Sequence, residues 1–193
     1  MKSILDSIVT SINDSISAEF SASPFTGKQI FGVTEKSFHK EIIAPSIISD
    51  GGKITPIFCD KMVPLLIYHK QYGVNYDYNL PESFGKGFLH RATHKMSMVI
   101  FTMKSRTKID GKEMAQIIEK SFPTSWDKTF KKNLALRSLN TRLESCDSDA
   151  DAIYKREWVG TKDPTVIPES SLLEVRYQIV RTFKGDCAVN CCN

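Results

Sequence analysis

No stretch of this 193-residue sequence holds the uninterrupted apolar run, about eighteen residues or more, that a membrane-crossing helix needs. Residues 1–20 do not read as a secretory leader, because Asp6, Asn13 and Asp14 interrupt their apolar pattern. Long runs of like charge are missing as well, and 26 basic against 22 acidic residues leave a net charge of only +4. A dedicated nucleic-acid binder carries a denser basic stripe than that. Cysteine is scarce and odd in number: Cys59, Cys146, Cys187, Cys191 and Cys192, three of them at the C-terminus. That count excludes the paired framework of a secreted scaffold. These absences predict a chain made in the cytosol, with no membrane partner.

Catalytic signatures are missing too. Gly51-Gly52-Lys53 and Gly85-Lys86-Gly87 lack the spacing and the strand-to-helix context of a phosphate-binding loop, and read as turns. His90 and His94 share a metal-like spacing, but Arg91 stands where a zinc protease has its glutamate. The segment also leads into a strand, where positions four apart lie roughly 13 Å from each other. Cys59 ends an apolar run and reads as a small buried thiol rather than a partner of His39 or His69. The tail cysteines suit a soft metal, yet a closed tetrahedral site takes four ligands and no second pair lies near them. Glu144, Asp147, Asp149 and Asp151 alternate like calcium ligands without the central glycine or distal glutamate, and read as a solvated loop. The expectation is no enzyme, no cofactor, and no catalytic or metal residue.

What the chain does contain is enough for one core. Hydrophobic residues make up 41%, which with this length lets the chain bury roughly two-thirds to three-quarters of its unfolded surface without disulfides. We read residues 1–193 as a single α+β domain. Ile4, Leu5, Ile8, Val9, Ile12, Ile16 and Phe20 recur at helical spacing and predict an amphipathic N-terminal helix, ended by Pro24 and Gly27. From 27 to 70, short apolar runs separated by glycine and proline predict strands and loops. Pro45, Pro56 and Pro64 are expected at edges, strand starts or turns. Residues 71–87 hold no period and predict a long exposed loop.

The run Lys95–Met103 predicts an apolar strand. Asp110 and Glu113 then form a capping box for a second helix near 110–122, whose apolar face is Met114, Ile117, Ile118 and Phe122. Ala152–Val159 and Leu172–Phe183 predict strands. In the second, Leu173, Val175, Tyr177 and Ile179 face the core, and Glu174, Arg176 and Gln178 face away. A largely antiparallel sheet flanked by the two helices follows, with a cysteine-bearing tail at 184–193.

That order of elements resembles the tail-terminator and head–tail joining (neck) proteins of tailed bacteriophages. The counterparts are Ile4–Phe20 for the opening helix, Met96–Phe122 for the strand and helix, and Leu172–Ile179 for the closing alternating strand with its tyrosine. The resemblance is architectural and covers most of the chain, which is longer than compact members through 71–87 and the tail. It implies a structural virion protein: a homo-oligomeric ring at the phage neck or tail, stacked on connector, neck or tail-tube proteins. DNA would pass through its lumen without specific binding, after assembly in the host cytoplasm. The interface candidates it implies are Tyr72, Tyr76, Tyr78, Phe84 and Trp158, together with Arg156 and Arg176 on the closing strands. Two other readings stay open: a nucleic-acid-binding or regulatory module, and a small metal-dependent enzyme using His90, His94 or the cysteines.

Overall fold

A computed structural model describes residues 3–21, 24–39, 42–48, 52–59, 62–81, 88–160 and 170–184. Its helices are α1 (Ile4–Glu19), α2 (Lys104–Thr107), α3 (Gly111–Ser121), α4 (Lys128–Asn133) and α5 (Ala150–Glu157). The strands are β1 (Gln29–Val33), β2 (Glu35–His39), β3 (Ile42–Ile48), β4 (Ile54–Pro56), β5 (Leu65–Pro81), β6 (Phe88–Met103), β7 (Ser138–Asp147) and β8 (Ser170–Lys184). The fold is α+β. A five-stranded sheet runs β1-β5-β6-β8-β7, antiparallel except for the parallel β1–β5 pair, and a second antiparallel sheet runs β2-β3-β4.

Both faces of the large sheet are covered at one end. On one face, α1 buries Ile8, Val9, Ile12, Ile16 and Phe20, and α3 adds Met114 and Ile118, against Leu65, Ile67, Met98, Leu173 and Val175. The expected capping box of α3 is present, with Asp110 accepting from the backbone of Lys112 and Glu113. On the other face, the small sheet and α5 cover Leu66, Tyr68, Val99, Phe101 and Leu172. Double coverage explains why Leu65–Tyr68 and Met98–Phe101 are buried at every position rather than at alternate ones.

Several expectations change here. Residues 71–81 belong to β5 rather than to a loop, because pairing with β6 continues to Pro81↔Phe88; residues 82–87 and 185–193 lie outside the described ones. Ala152–Val159 is not a strand. Asp149 accepts from the backbone N–H of Ala152 and starts α5 there. Trp158, taken as an interface residue, is 2% exposed and packs edge-on to Tyr68. Glu174, expected to face away from the core, is 3% exposed because α5 covers it.

Pro45 sits in a central strand, against the expectation of an edge. Its carbonyl accepts from Ile57 N–H at 2.7 Å, and in a paired antiparallel couple the return bond would run from residue 45 to the Ile57 carbonyl. Proline has no N–H to give. The Trp158 indole N–H donates to that carbonyl instead, at 2.8 Å. Trp158→Phe keeps the ring and removes the donor, and is expected to lower stability by about 1–3 kcal/mol in urea unfolding.

A second buried polar set ties α1 to the sheet. His69 lies between Tyr177, whose hydroxyl is 2.7 Å from Nδ1, and Asn13, whose Oδ1 is 2.7 Å from Nε2. The Asn13 amide donates to the Phe31 carbonyl, so its oxygen faces His69 and accepts from Nε2–H, while Nδ1 accepts from Tyr177. Burial holds the His69 pKa down to about 3. Above pH 6.5 this ring is neutral in both states. Below it the unfolded chain takes a proton that the folded chain refuses until about pH 3, so stability falls with acidification across that window. The expected slope is on the order of 1 kcal/mol per pH unit. Urea midpoints at several pH values check it, and His69→Gln is expected to flatten the curve.

Candidate interface on the uncovered part of the sheet

The long strands outrun the layers that cover them. Burial along β5 stops at His69, and Gln71, Tyr72 and the residues from Val74 to Tyr78 are exposed. The outer neighbour also stops there, since β1 pairs with β5 only from Leu66 to His69. Beyond that point β5 is a free edge among the described residues, bonded to β6 alone. β7 forms the opposite edge of the sheet, also free among the described residues.

Tyr72, Tyr76 and Tyr78 share the same parity and would line one face of a regular strand. A bulge between Gln71 and Gly73 divides them. Tyr72 stays on the face of Lys70, where Arg176 lies over its ring at 5.9 Å and its hydroxyl donates to Glu144 at 3.3 Å. Tyr76 and Tyr78 turn to the other face and stack with centroids 6.0 Å apart at 16°.

On that second face the rings continue inward. Tyr78 meets His90 at 5.3 Å, His90 meets Phe183 at 5.7 Å, and Tyr76 meets His94 edge-on at 6.5 Å. Arg181 lies over Phe183 at 5.3 Å, and its Nε–H donates to His94 Nε2 at 3.0 Å. That bond assigns the His94 proton to Nδ1, which is buried and has no hydrogen-bond partner among the described residues. Burial first, and then the Arg181 charge, holds the His94 pKa down to about 4. A neutral donor without an acceptor is thus held beside the exposed Tyr76. His90 and His94 are engaged in this array as ring partners, and among the described residues no three of His, Cys, Asp and Glu come together as a metal site.

Between the covered and uncovered parts lies an ion network. Glu174 accepts from Ser97 Oγ and from Arg156 Nη2, each at 2.6 Å, and pairs with Lys70 at 3.1 Å. Lys70 also pairs with Glu157, which accepts from the Tyr68 hydroxyl at 3.1 Å. Arg176 lies 3.8 Å from Glu174. Burial alone would push the Glu174 carboxyl up, but the Ser97 hydrogen bond and the Lys70 and Arg156 charges hold it below its ordinary value. Arg156 and Arg176, two of the candidate interface residues, therefore meet on one carboxylate of their own chain. Arg176 is half exposed and holds Tyr72 as well.

The remaining candidates fall elsewhere. Phe84 lies outside the described residues. Cys59 packs against the second core, on the opposite face from His69, and burial pushes its thiol up. The acidic segment is structural: Asp147 accepts from the Asp149 N–H, Asp149 caps α5, and Asp151 pairs with Lys155. The ring array escaped sequence reasoning, in which His94 was weighed only as a metal ligand and Phe183 was not singled out. Its signal was weak, a strand parity shared by Arg181 and Phe183 across from His90.

Glu174→Ala strips Lys70, Arg156 and Ser97 of their shared acceptor. It is expected to cost about 3 kcal/mol, read as a shift in the urea midpoint. No described helix is long and apolar enough to cross a membrane. Comparison with known proteins finds no family model and no curated protein that matches this chain.

Proposed function

We propose that this chain is a structural subunit that assembles with copies of itself through the free edge of β5, as a ring at the neck or tail of a tailed bacteriophage. The observation that carries the reading is the edge of β5 beyond His69, unpaired among the described residues, with Tyr72, Tyr76 and Tyr78 exposed along it. A bare edge is a template for another strand, and natural proteins blunt or cover edges that are meant to stay single. Tyrosine is enriched where subunits meet. The free edges of β5 and β7 stand at opposite ends of the sheet. Contact of one with the other between copies is head-to-tail, the kind that closes into rings.

The order of α1, the central strands, β6 with α3, and the closing strands supports the resemblance to neck and tail-terminator proteins. The partners proposed on that basis are connector, neck or tail-tube proteins. DNA passes through the lumen without sequence-specific contact. The protein is made in the host cytoplasm and ends in the virion. Size-exclusion chromatography with light scattering tests the proposal: a discrete oligomer is expected, alone or on adding the neighbouring tail proteins. Tyr76→Ser combined with Tyr78→Ser is expected to raise its dissociation constant on the order of tenfold or more. A chain that stays monomeric under both conditions sinks the reading.

A further inference from the structure

Four cations and no carboxylate occur between Lys128 and Arg137. The fold gathers all four, and adds a fifth. Asp127 spends its carboxylate on the Phe130 N–H at the start of α4, at 2.7 Å, and Phe130 packs against the first core. At the other end of α4 the chain reverses sharply. Leu136 N–H donates to the Lys131 carbonyl at 2.8 Å, and Ala135 N–H donates to Lys132 at 3.0 Å. Ala135 takes a left-handed conformation at φ 54, and Leu136 is buried. This is the helix-ending turn in which glycine is the usual residue. It returns Arg137 to the sheet, where the Arg137 N–H donates to the Thr182 carbonyl at 2.8 Å, beside the end of β8 at Lys184.

The result is a basin of about 640 Å³, open to solvent, lined by Lys128, Lys131, Lys132, Arg137 and Lys184, with no acidic residue among the described residues. No salt bridge among the described residues engages Lys128, Lys131, Lys132 or Lys184. Five cations exceed the +4 of the whole chain, so everything outside the basin is slightly acidic in sum.

We infer that this basin binds the phosphate backbone of a nucleic acid. The cations stand at the open rim of a basin, whereas a small phosphate ligand is normally held in a cleft that buries most of its surface. A polymer with closely spaced charges gains from such an array by releasing counterions at several phosphates together. A lipid surface is disfavoured, because the apolar residues of the basin are Ala135 and the buried Leu136. A nucleic acid is favoured over an acidic polypeptide by charge density: duplex DNA carries one negative charge per roughly 1.7 Å of its axis, whereas an extended acidic strand carries at most one per roughly 3.3 Å. This inference stands on its own observations and does not rest on the assembly reading.

Fluorescence anisotropy with a labelled oligonucleotide, single-stranded and duplex, tests it on the full chain. Raising salt from about 50 to about 200 mM is expected to weaken duplex binding by roughly 40- to 150-fold for three to four neutralised phosphates. Lys128→Gln, Lys131→Gln and Lys132→Gln together are expected to lower the salt slope by about three units, with the thermal midpoint unchanged. A control of equal charge change on another surface, Lys104→Gln, Lys112→Gln and Lys120→Gln, is expected to leave the slope as it was. The inference is overturned by no binding at low salt, by an equal loss in the control, or by polyglutamate displacing the oligonucleotide at equal charge.

Discussion

The three central strands β5, β6 and β8 are longer than the layers that pack on them, and most of this molecule follows from that mismatch. Where α1 and α3 cover one face and the small sheet with α5 covers the other, the strands are apolar on both sides. Past that line β5 continues exposed and without an outer neighbour among the described residues. A sheet is held by backbone pairing along its length, but its side chains need partners too. The composition changes where the cover ends, from leucine, isoleucine and methionine to tyrosine, histidine, lysine and arginine.

The boundary itself is built from polar groups that are satisfied at close range. Glu157 and Glu174 are nearly as buried as the leucines behind them, yet each has at least two cationic or hydroxyl partners. The His69–Asn13–Tyr177 set plays the corresponding part under α1. Buried polar groups are tolerated when their bonds are complete, and completed networks restrict which neighbours fit. His94 is the exception, with one ring nitrogen unpartnered. It lies edge-on to Tyr76.

Two surfaces of different chemistry result. One is a bare edge with tyrosines, suited to dry contact with another protein. The other is an open basic basin at the far corner of the sheet, suited to long-range attraction of phosphate. Edge pairing is short-ranged and depends on shape, while the basin acts over roughly a Debye length and weakens with salt. The proposed edge contact and the proposed phosphate contact are compatible in one chain, because they use different residues and different physics.

The amphipathic period of α1, the capping box and apolar face of α3, and the apolar run of β6 were all legible in the sequence, because each signal is contained within a few turns or one strand. The exposure of Tyr72, Tyr76 and Tyr78 was legible as well, from rings without a helical period. Their division between two faces was not, since one bulge inverts the parity of every residue after it. The burial of Trp158 was hidden for a related reason: its partner carbonyl at Ile57 is 101 positions away. So was the pairing of Glu174 with Arg156 and Lys70, and the meeting of Lys128, Lys131 and Lys132 with Lys184. Local order comes from backbone propensity and periodicity, which neighbouring residues encode. Which charges and rings become neighbours depends on strand register and layer packing, and those are settled only when distant segments meet.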